Sequence, residues 1–425
     1  MRDDRDHGSR ATGRIADPRM TVYRASWILP VVGEPIADGW VAIEHGRIAG
    51  VGGGDTQHAV DLGQVAILPA LVNTHTHLEL SYLRGVLPPA DRFLDWIERI
   101  IAARRRLLDP EDARILQSAR AGIEEARASG TGLVGDVSNT LVTVPLLREA
   151  SVPARVFYEL LGFNPDDPVG LVHDARARVD RLESGSGAVR LSLAAHAPYS
   201  VSPALFAAIR DDLDAHHGDV SSVHVGESAD EVEFITRGAG GWRKALTGLG
   251  VWSNTWRPPG VSPATYLADF GFLDSRVLAV HAVQCDGEDL SRLATLGTTV
   301  VSCPRSSRHV GVGDPPLEAF YAMGVKVAFG TDSLASVTDL NMFSELAAAR
   351  KIAPRVSARD LIESATLGGA RALGFGEQFG SIEVDKHASL IAVGLPARVS
   401  DAEEHLVSGI DASAVSWVDA EAPAS

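Results

Sequence analysis

Cysteine is almost missing from this chain, since only Cys285 and Cys303 occur in its 425 residues. Two cysteines cannot build the disulfide framework of a small secreted domain, and their scarcity favours a reducing compartment. No apolar run reaches the length of a membrane span, and no apolar signal-peptide core stands near the start. We therefore expect a cytoplasmic protein that has no membrane partner.

Positive charge is also in short supply. The chain carries 39 Lys and Arg against 55 Asp and Glu, which gives a net charge of −16. Such an acidic balance argues against binding to nucleic acid or to anionic membranes and mainly favours solubility. Residues 1–19 are polar and of mixed charge, which predicts a disordered tail. Met20 opens the first strand-like pattern and is a second candidate start beside Met1.

From about residue 65 the chain alternates apolar runs with amphipathic segments. The runs are apolar on both faces, which is typical of a buried parallel sheet. Eight strand–helix repeats predict an α/β fold with a TIM-like (β/α)8 barrel. The first clear helix is predicted from Asp109 as N-cap to Gly130. The predicted strands read VAILPALVN, TGLVGDVS, ARVFYELLGF, VRLSLAAHA, VSSVHVGE, RVLAVHAV, TTVVSCP and VKVAFGTD.

Short strand patterns flank this central region on both sides. Residues 20–68 and 379–400 have strand character, and we expect them to form one small β-sandwich beside the barrel. The barrel itself is predicted over residues 69–378. Residues 401–425 are acidic and rich in Ala and Ser, which predicts a loosely held tail.

Histidines mark the end of the first predicted barrel strand, which runs into NTHTHLE. His75 and His77 are two positions apart, so their side chains share one face of the strand and can bind one metal ion. Catalytic side chains of a (β/α)8 barrel lie at the carboxyl ends of its strands. Further candidates stand at the ends of later strands: His196, His224 with Glu227, His281 and Asp332.

The motifs NTHTHLE, AHAPYSVS, HVGES, VHAV and FGTDS together resemble the amidohydrolase superfamily. More closely, they resemble its branch of metal-dependent nucleoside and aromatic-base deaminases, over roughly residues 20–395. That branch includes aminodeoxyfutalosine deaminases, S-adenosylhomocysteine/methylthioadenosine deaminases and triazine hydrolases. The resemblance implies a role for each candidate: His75, His77, His224 and Asp332 as metal ligands, Glu227 as proton shuttle, His281 as a group that orients and activates water, and His196 as a substrate contact.

The resemblance also bears on the metal. Binuclear relatives carry a bridging lysine on the fourth strand, and VRLSLAAHA has none, so one divalent ion is implied. Zinc is the first expectation for three histidines and one aspartate, while Fe²⁺ and Mn²⁺ suit the same ligands. The PCxxC pair of the other zinc deaminase class is absent from the sequence.

The implied reaction is hydrolytic removal of the 6-amino group of an adenine nucleoside. Within the branch we favour 6-aminodeoxyfutalosine, an intermediate of menaquinone biosynthesis. S-adenosylhomocysteine or methylthioadenosine deamination and triazine hydrolysis stay open as alternatives. A non-catalytic binding barrel is disfavoured, because such a protein would be expected to lose a ligand or the proton shuttle, and all are present.

Three regions are candidates for substrate recognition. In DRFLDWIERI, Asp95 stands where relatives place an acid that binds ribose hydroxyls. In CPRSSRHVGVG, Arg305 and Arg308 are candidates to clamp a substrate carboxylate. The long segment 228–262 carries Trp242, Trp252 and Trp256, and we hypothesise a lid that stacks on an aromatic group. Relatives are often dimers, so a homodimer is one option.

Overall fold

The computed structural model describes residues 20–56, 58–183 and 187–418, so the predicted tail 1–19 lies outside the described residues. The strands are β1 (Met20–Ile28), β2 (Ile36–Glu44), β3 (Arg47–Gly53), β4 (Val60–Asp61), β5 (Val65–Pro69), β6 (Leu71–Thr76), β7 (Thr131–Ser138), β8 (Ala154–Leu160), β9 (Val189–Ala195), β10 (Ser221–Val225), β11 (Val277–His281), β12 (Thr299–Ser302), β13 (Lys326–Phe329), β14 (Leu390–Gly394) and β15 (Val415–Val418).

Most barrel strands are followed by at least one helix. The α-helices are α1 (Phe93–Arg104), α2 (Ala113–Ala128), α3 (Thr143–Glu149), α4 (Pro168–Glu183), α5 (Pro203–Ala215), α6 (Ala229–Arg237), α7 (Gly240–Gly248), α8 (Pro263–Asp269), α9 (Gly287–Leu296), α10 (Pro304–His309), α11 (Leu317–Ala322), α12 (Met342–Ile352), α13 (Ala358–Glu363), α14 (Gly369–Ala372) and α15 (Ala402–Leu406). Short 3₁₀ helices cover Leu78–Leu83 and Ala412–Ala414, and a π-helical turn covers Ser364–Gly368.

Eight parallel strands form the centre of the molecule. Strands β6 to β9 pair in chain order as one four-stranded sheet, and β10 to β13 pair in chain order as another. Backbone hydrogen bonds join the two sheets at both seams. The His224 N–H donates to the His196 carbonyl at 2.8 Å, and the Asp332 N–H donates to the His75 carbonyl at 3.0 Å. The predicted α/β class with a (β/α)8 barrel is confirmed.

The run VAILPALVN is two strands instead of the single predicted one. Its first half, β5, pairs with β14 in a separate sheet, whereas its second half, β6, pairs with β7 in the barrel. The chain changes sheet at Ala70, whose N–H donates to the Ser389 carbonyl at 2.9 Å. Pro69 immediately before it has no N–H to donate to a ladder, which favours a strand end there. The sequence concealed this boundary because both halves are buried.

The segments on either side of the barrel associate in one set of paired strands, and the small β-sandwich stays a prediction. Seven strands pair in the order β15-β14-β5-β1-β2-β3, with β4 alongside β1. The C-terminal segment joins the N-terminal strands at two places, since β14 pairs with β5 and His387 bridges to Arg47 of β3. One apolar cluster packs on this sheet: Ala25, Ile28, Val41, Ile43, Ile48, Ile67, Ile382, Leu390, Ala392 and Val418.

The prediction of a loose tail after residue 400 is wrong for residues 402–418. Strand β15 pairs antiparallel with β14, and Leu406 and Val407 of the preceding segment are fully buried. The Trp417 indole N–H also donates to the Arg127 carbonyl at 3.0 Å. The Ala- and Ser-rich composition masked these few apolar anchors. Residues 419–425 lie outside the described part of the chain.

Helix α2 begins one turn later than predicted. Asp112 is its N-cap and accepts the Arg114 N–H at 2.9 Å, while Asp109 accepts the Glu111 N–H in the preceding turn. Either aspartate can cap a helix, and local sequence alone favoured the one that precedes Pro110.

None of the helices in the described residues combines the length and the apolar character that a membrane crossing requires.

Gly330 provides a test of the seam between β13 and β6. A β-carbon at this position would lie 2.6 Å from the His75 carbonyl oxygen and 2.8 Å from the His75 nitrogen. Those neighbours are backbone atoms, so they cannot rotate away as a side chain would. We expect Gly330→Ala to lower the free energy of unfolding by about 1–3 kcal/mol, the usual cost of overpacking, measured by denaturant or thermal unfolding.

Gly248 at the end of α7 is the matched control, because a β-carbon there would meet no atom within 4 Å. Gly248→Ala should unfold at the wild-type midpoint or slightly above it. Equal midpoints for the two variants would contradict the close approach of β13 to β6.

Candidate metal centre

Three histidine rings meet at the carboxyl ends of the barrel strands. His75 and His77 come from the end of β6, and their ring centroids lie 4.9 Å apart. His224 from β10 lies 5.0 Å from His75 and 5.6 Å from His77 by the same measure. Strand alternation places the two β6 side chains on one face, and parallel pairing brings the end of β10 to the same end of the barrel.

Asp332 adds a carboxylate to this group. Its Oδ1 lies 3.9 Å from the His75 Nε2 and 3.7 Å from the His77 Nε2. The Ser306 hydroxyl donates to Oδ2 at 2.6 Å, and the Ser333 N–H donates to Oδ1 at 2.7 Å. Asp332 has a φ of 61°, a left-handed conformation that is rare outside glycine, and the contacts with its neighbours hold it there.

The Asp332 backbone is also fixed on its other side. The Thr76 hydroxyl donates to the Asp332 carbonyl at 2.9 Å, beside the Asp332 N–H bond to the His75 carbonyl. Both halves of the site are therefore tied together by backbone bonds that do not involve the candidate ligand atoms.

These donors suit a divalent ion. The His75 Nε2 is buried and has no hydrogen-bond partner among the described residues, which is costly for a polar atom unless something else occupies its lone pair. Ligands of a tetrahedral zinc ion with bonds of about 2.0 Å lie about 3.3 Å apart, close to the observed separations around Asp332. Three imidazoles and one carboxylate form a donor set typical of Zn²⁺, and they also suit Fe²⁺ or Mn²⁺.

The protonation states of these side chains also favour metal binding. Burial, together with the neighbouring imidazoles, lowers the pKa of His75 well below its ordinary value. Burial also lowers the pKa of His77, so both rings are neutral and keep a free lone pair at neutral pH. For Asp332, burial acts to raise the pKa, but the histidines and the Ser306 hydroxyl outweigh it and the pKa is lowered. The carboxylate is thus ionised.

Glu227 and His281 lie next to these four residues. The Glu227 Oε1 is 3.5 Å from the His281 Nε2, and both side chains are almost fully buried. Burial, with the charges of Asp332 and Glu231, raises the pKa of Glu227 well above its ordinary value, so this carboxyl retains a proton readily. Burial lowers the pKa of His281 to about 3. A proton-holding acid and a neutral imidazole therefore stand side by side.

The geometry thus brings together six of the residues singled out from the sequence. They are His75, His77, His224, Asp332, Glu227 and His281. His196 joins them at the edge, with its ring 5.1 Å from His224 and its Nδ1 2.5 Å from the Ser200 hydroxyl. Burial lowers the pKa of His196 to about 4, so it too is neutral.

Glu159 at the end of β8 escaped the sequence reasoning. Its Oε1 lies 3.4 Å from the His224 Nδ1, which also lies 3.0 Å from the His196 carbonyl. These acceptors favour a proton on Nδ1 and leave Nε2 for a metal, the usual function of such outer contacts. Asn139 donates to the Glu159 Oε2 at 2.8 Å. An acidic residue near the end of the otherwise apolar ARVFYEL was the available signal.

Two more buried acids order the segment that follows His77. Glu79 accepts hydrogen bonds from the Ser138 and Thr140 hydroxyls at 2.6 and 2.5 Å. Asp136 accepts the Leu78 N–H at 2.8 Å and the Thr143 hydroxyl at 2.6 Å. Burial raises the pKa of Asp136 to about 7. These contacts fix the turn directly after His77 to the end of β7.

Arg305 and Arg308 are each already paired within the chain, so a clamp on a substrate carboxylate stays a prediction. The Arg305 guanidinium donates to the Glu345 carboxylate at 2.6 Å and to the Asp339 carboxylate at 2.8 Å. Arg308 pairs through two nitrogens with the carboxylate of Asp314. Each guanidinium therefore already binds a carboxylate of the chain. The sequence could not show this, because two of the acids are 34 and 40 residues from Arg305.

Asp95 lies in the first turn of α1 and is half-buried. The same helix packs through Phe93 on Trp242, whose ring stacks at 3.7 Å on Tyr199, a neighbour of His196. This aromatic chain connects α1 with the edge of the site. A contact of Asp95 with a ribose stays a prediction.

The tryptophans of the segment 228–262 are packed on other aromatic rings. Trp256 stacks on Phe234 at 4.7 Å, and Trp252 stacks on Phe163 at 5.8 Å. The segment contains α6 and α7 and is thus more ordered than a bare loop. These contacts hold it against the barrel rim, and stacking of a tryptophan on a substrate stays a prediction.

Comparison with known proteins finds relatives that are named deaminases. The pattern of the Amidohydrolase family matches residues 66–417. An aminodeoxyfutalosine deaminase of Deinococcus radiodurans is 34% identical over 72% of this chain and 73% of its own length. A 5-methylthioadenosine/S-adenosylhomocysteine deaminase of Moorella thermoacetica is 29% identical over 86% of this chain and 83% of its own. The crystal structure of an adenosine deaminase from Xanthomonas campestris with bound zinc superposes with a TM-score of 0.79, at 27% identity, over 93% of this chain and 90% of its own.

The donor set leads to a prediction about metal content. We expect the purified protein to hold about one equivalent of a divalent metal after expression in zinc-replete medium, measured by plasma mass spectrometry. His77→Ala should lower this content to a small fraction of the wild-type value. One of four ligands is lost, and the residues that hydrogen-bond to the other ligands cannot replace it.

His173, an exposed residue of α4, gives the matched control, and His173→Ala should keep the full metal content. Equal metal content in the two variants would show that the ion is bound elsewhere in the chain.

Proposed function

The chain belongs to the amidohydrolase family, and we propose that it is a hydrolase with one metal ion that removes the 6-amino group of an adenine nucleoside. One observation carries the proposal: His75, His77, His224 and Asp332 converge at one end of the barrel, with Glu227 and His281 directly beside them. The nucleoside deaminases among the relatives support the same reaction class.

The four converging side chains would hold the ion, and the remaining two would move protons. A divalent ion, when bound, supplies the Lewis acidity that brings the pKa of water toward neutrality. Asp332 and His281 would orient the attacking water and accept its proton. Because His281 is neutral and Asp332 ionised, both can accept hydrogen bonds from that water.

Glu227 would act as the acid toward the purine. Its raised pKa favours the protonated form, whose proton it can donate to the ring nitrogen next to the carbon that bears the amino group. That carbon becomes electrophilic, the water oxygen adds to it, and the carbon–nitrogen bond breaks. The amino group would take up the proton that Asp332 and His281 accepted from the water and would leave as ammonia. The hydroxyl proton of the adduct would return Glu227 to its acid form, and the net change is replacement of the amino group by oxygen.

For the substrate we propose 6-aminodeoxyfutalosine, which would place the enzyme in menaquinone biosynthesis. The support is the relative in Deinococcus radiodurans, since Arg305 and Arg308 are already paired within the chain and lend no support. Deamination of methylthioadenosine or S-adenosylhomocysteine is the second candidate, favoured by the longer match to the relative in Moorella thermoacetica. Zinc is the proposed metal, in line with the zinc-bound structural neighbour.

Glu227→Gln tests the proton transfer. The amide has almost the same shape but cannot donate an acidic proton, so we expect kcat to fall by at least about 100-fold, with metal content unchanged. Both quantities are measured on the same preparation, by ammonia release and by metal analysis. Glu233→Gln on the exposed side of α6 is the control and should keep wild-type turnover. Near-normal turnover in Glu227→Gln would remove the proton-shuttle role.

A substrate panel tests the choice of nucleoside. Zinc-loaded protein is assayed for ammonia release with aminodeoxyfutalosine, S-adenosylhomocysteine, methylthioadenosine, adenosine and a chlorotriazine. We expect the highest kcat/KM for aminodeoxyfutalosine. A preference for another adenine nucleoside would keep the reaction and discard the pathway, and turnover of the triazine alone would discard the nucleoside class.

A further inference from the structure

A cavity of about 320 Å³ opens between the end of α1, the 3₁₀ helix Leu78–Leu83 and the residues that lead into α2. Its walls are mainly apolar and include Leu80, Ile101 and Ile115. Leu108, which is 81% exposed, stands at its rim. This volume is at the lower end for a complete ligand site, so it suits one part of a larger ligand.

The polar end of the cavity is connected to the metal centre. Its lining includes Glu79, two residues after His77, and Arg104. Arg104 Nη2 donates to the Asn139 side-chain oxygen at 3.1 Å, and the Asn139 amide donates to Glu159 at 2.8 Å. Glu159 in turn lies 3.4 Å from His224. The Arg104 guanidinium is therefore three contacts away from a candidate metal ligand.

The arginines at the polar end of the cavity have N–H groups without hydrogen-bond partners among the described residues. Arg104 is 40% exposed, and in the described part of the chain only its Nη2 has a partner, Asn139 at hydrogen-bond distance with Glu79 at 3.6 Å. Arg105 lines the same cavity, is exposed, and pairs with no acid among the described residues. Nε and Nη1 of Arg104 thus remain available for a carboxylate, which arginine binds through two parallel hydrogen bonds.

Glu79 lies at the same end of the cavity, but its side chain is only 5% exposed. One of its oxygens accepts the Ser138 hydroxyl and the Thr140 hydroxyl, and the other accepts the Asn139 N–H at 3.1 Å. A ligand ammonium group would consequently reach little of the Glu79 carboxylate and would face apolar walls, at a high desolvation cost. An anion on an apolar carrier suits the cavity better than a zwitterion does.

We propose that this cavity binds an aromatic carboxylate carried on the ribose side of the nucleoside, with Arg104 contacting the carboxylate and Arg105 strengthening the positive potential. This inference rests on the proposed function and deepens it. It assigns to Arg104 the selection between nucleosides, since Arg305 and Arg308 are already paired with acids of the chain. The apolar walls contact the flat ring, and the guanidinium closes the end nearest the metal centre.

The test compares Arg104→Gln and Arg105→Gln with Arg106→Gln, an exposed neighbour that does not line the cavity. The measured quantity is the ratio of kcat/KM for aminodeoxyfutalosine, which carries a benzoate, to kcat/KM for methylthioadenosine, which has no carboxylate. We expect this ratio to fall by about 10- to 100-fold in Arg104→Gln, as for loss of a hydrogen bond to a charged group. It should fall less in Arg105→Gln and stay unchanged in Arg106→Gln.

An unchanged ratio in Arg104→Gln would overturn the inference. So would an equal fall for both substrates, because Arg104 would then act only through Asn139 and Glu159 on the metal centre. Arg105→Gln separates these cases independently, since Arg105 has no contact with Asn139. A larger loss with S-adenosylhomocysteine than with aminodeoxyfutalosine would assign the cavity to an amino acid and overturn the aromatic assignment.

A binding measurement keeps this inference separate from the proposed function. Titration calorimetry of sodium benzoate into zinc-loaded wild-type protein should show saturable binding that Arg104→Gln weakens by about 10-fold or more. If the wild type deaminates no nucleoside but still binds benzoate in this Arg104-dependent way, the proposed function fails and the cavity assignment stands. If benzoate does not bind, or binds equally to both proteins, the cavity assignment fails.

Discussion

The hydrogen bond from the Asp332 N–H to the His75 carbonyl is the contact on which the rest of the site depends. It joins the end of β13 to β6, and thereby places the one carboxylate of the candidate metal centre against His75 and His77. The approach is so close that only glycine fits at position 330. Asp332 adopts a left-handed backbone conformation there, which the surrounding bonds maintain. The strained backbone at Asp332 thus brings candidate ligands from the first and the last barrel strand, β6 and β13, together.

Burial then sets the chemistry. The imidazoles of His75, His77 and His281 are pushed toward the neutral form by the loss of solvent and by one another, while Asp332 stays ionised because those rings surround it. Glu227 lies near the negative charges of Asp332 and Glu231 and is pushed toward its protonated form. One buried group of side chains therefore combines neutral imidazoles, an ionised carboxylate and a carboxyl that favours its protonated form, which are the states that the proposed metal ligands, base and acid require.

The sequence predicted the strand ends well, because the period-two pattern and the polar residue that ends each apolar run are local signals. His75, His77, His224, His281 and Asp332 could all be found in this way. What escaped prediction depends on partners that are distant in the chain. Arg305 gave the same local signal as a substrate clamp, yet Glu345 and Asp339 neutralise it.

Other differences have similar causes. The change of sheet at Ala70 lies inside a continuously apolar run, so hydrophobicity could not reveal it. Glu159 stands in a strand whose neighbours gave no reason to single it out, although it contacts His224. The cavity beside Arg104 forms only when α1, α2 and the segment after His77 pack together. No local sequence pattern indicates such a cavity.

X-ray absorption at the zinc edge of the metal-loaded protein tests the central claim most directly. Four ligands from His75, His77, His224 and Asp332 predict a shell of nitrogen and oxygen at about 2.0–2.1 Å, with the outer scattering of about three imidazoles per zinc ion. A contribution from sulfur at about 2.3 Å, which only the cysteines and methionines could supply, would contradict the account, as would a shell with no imidazole scattering.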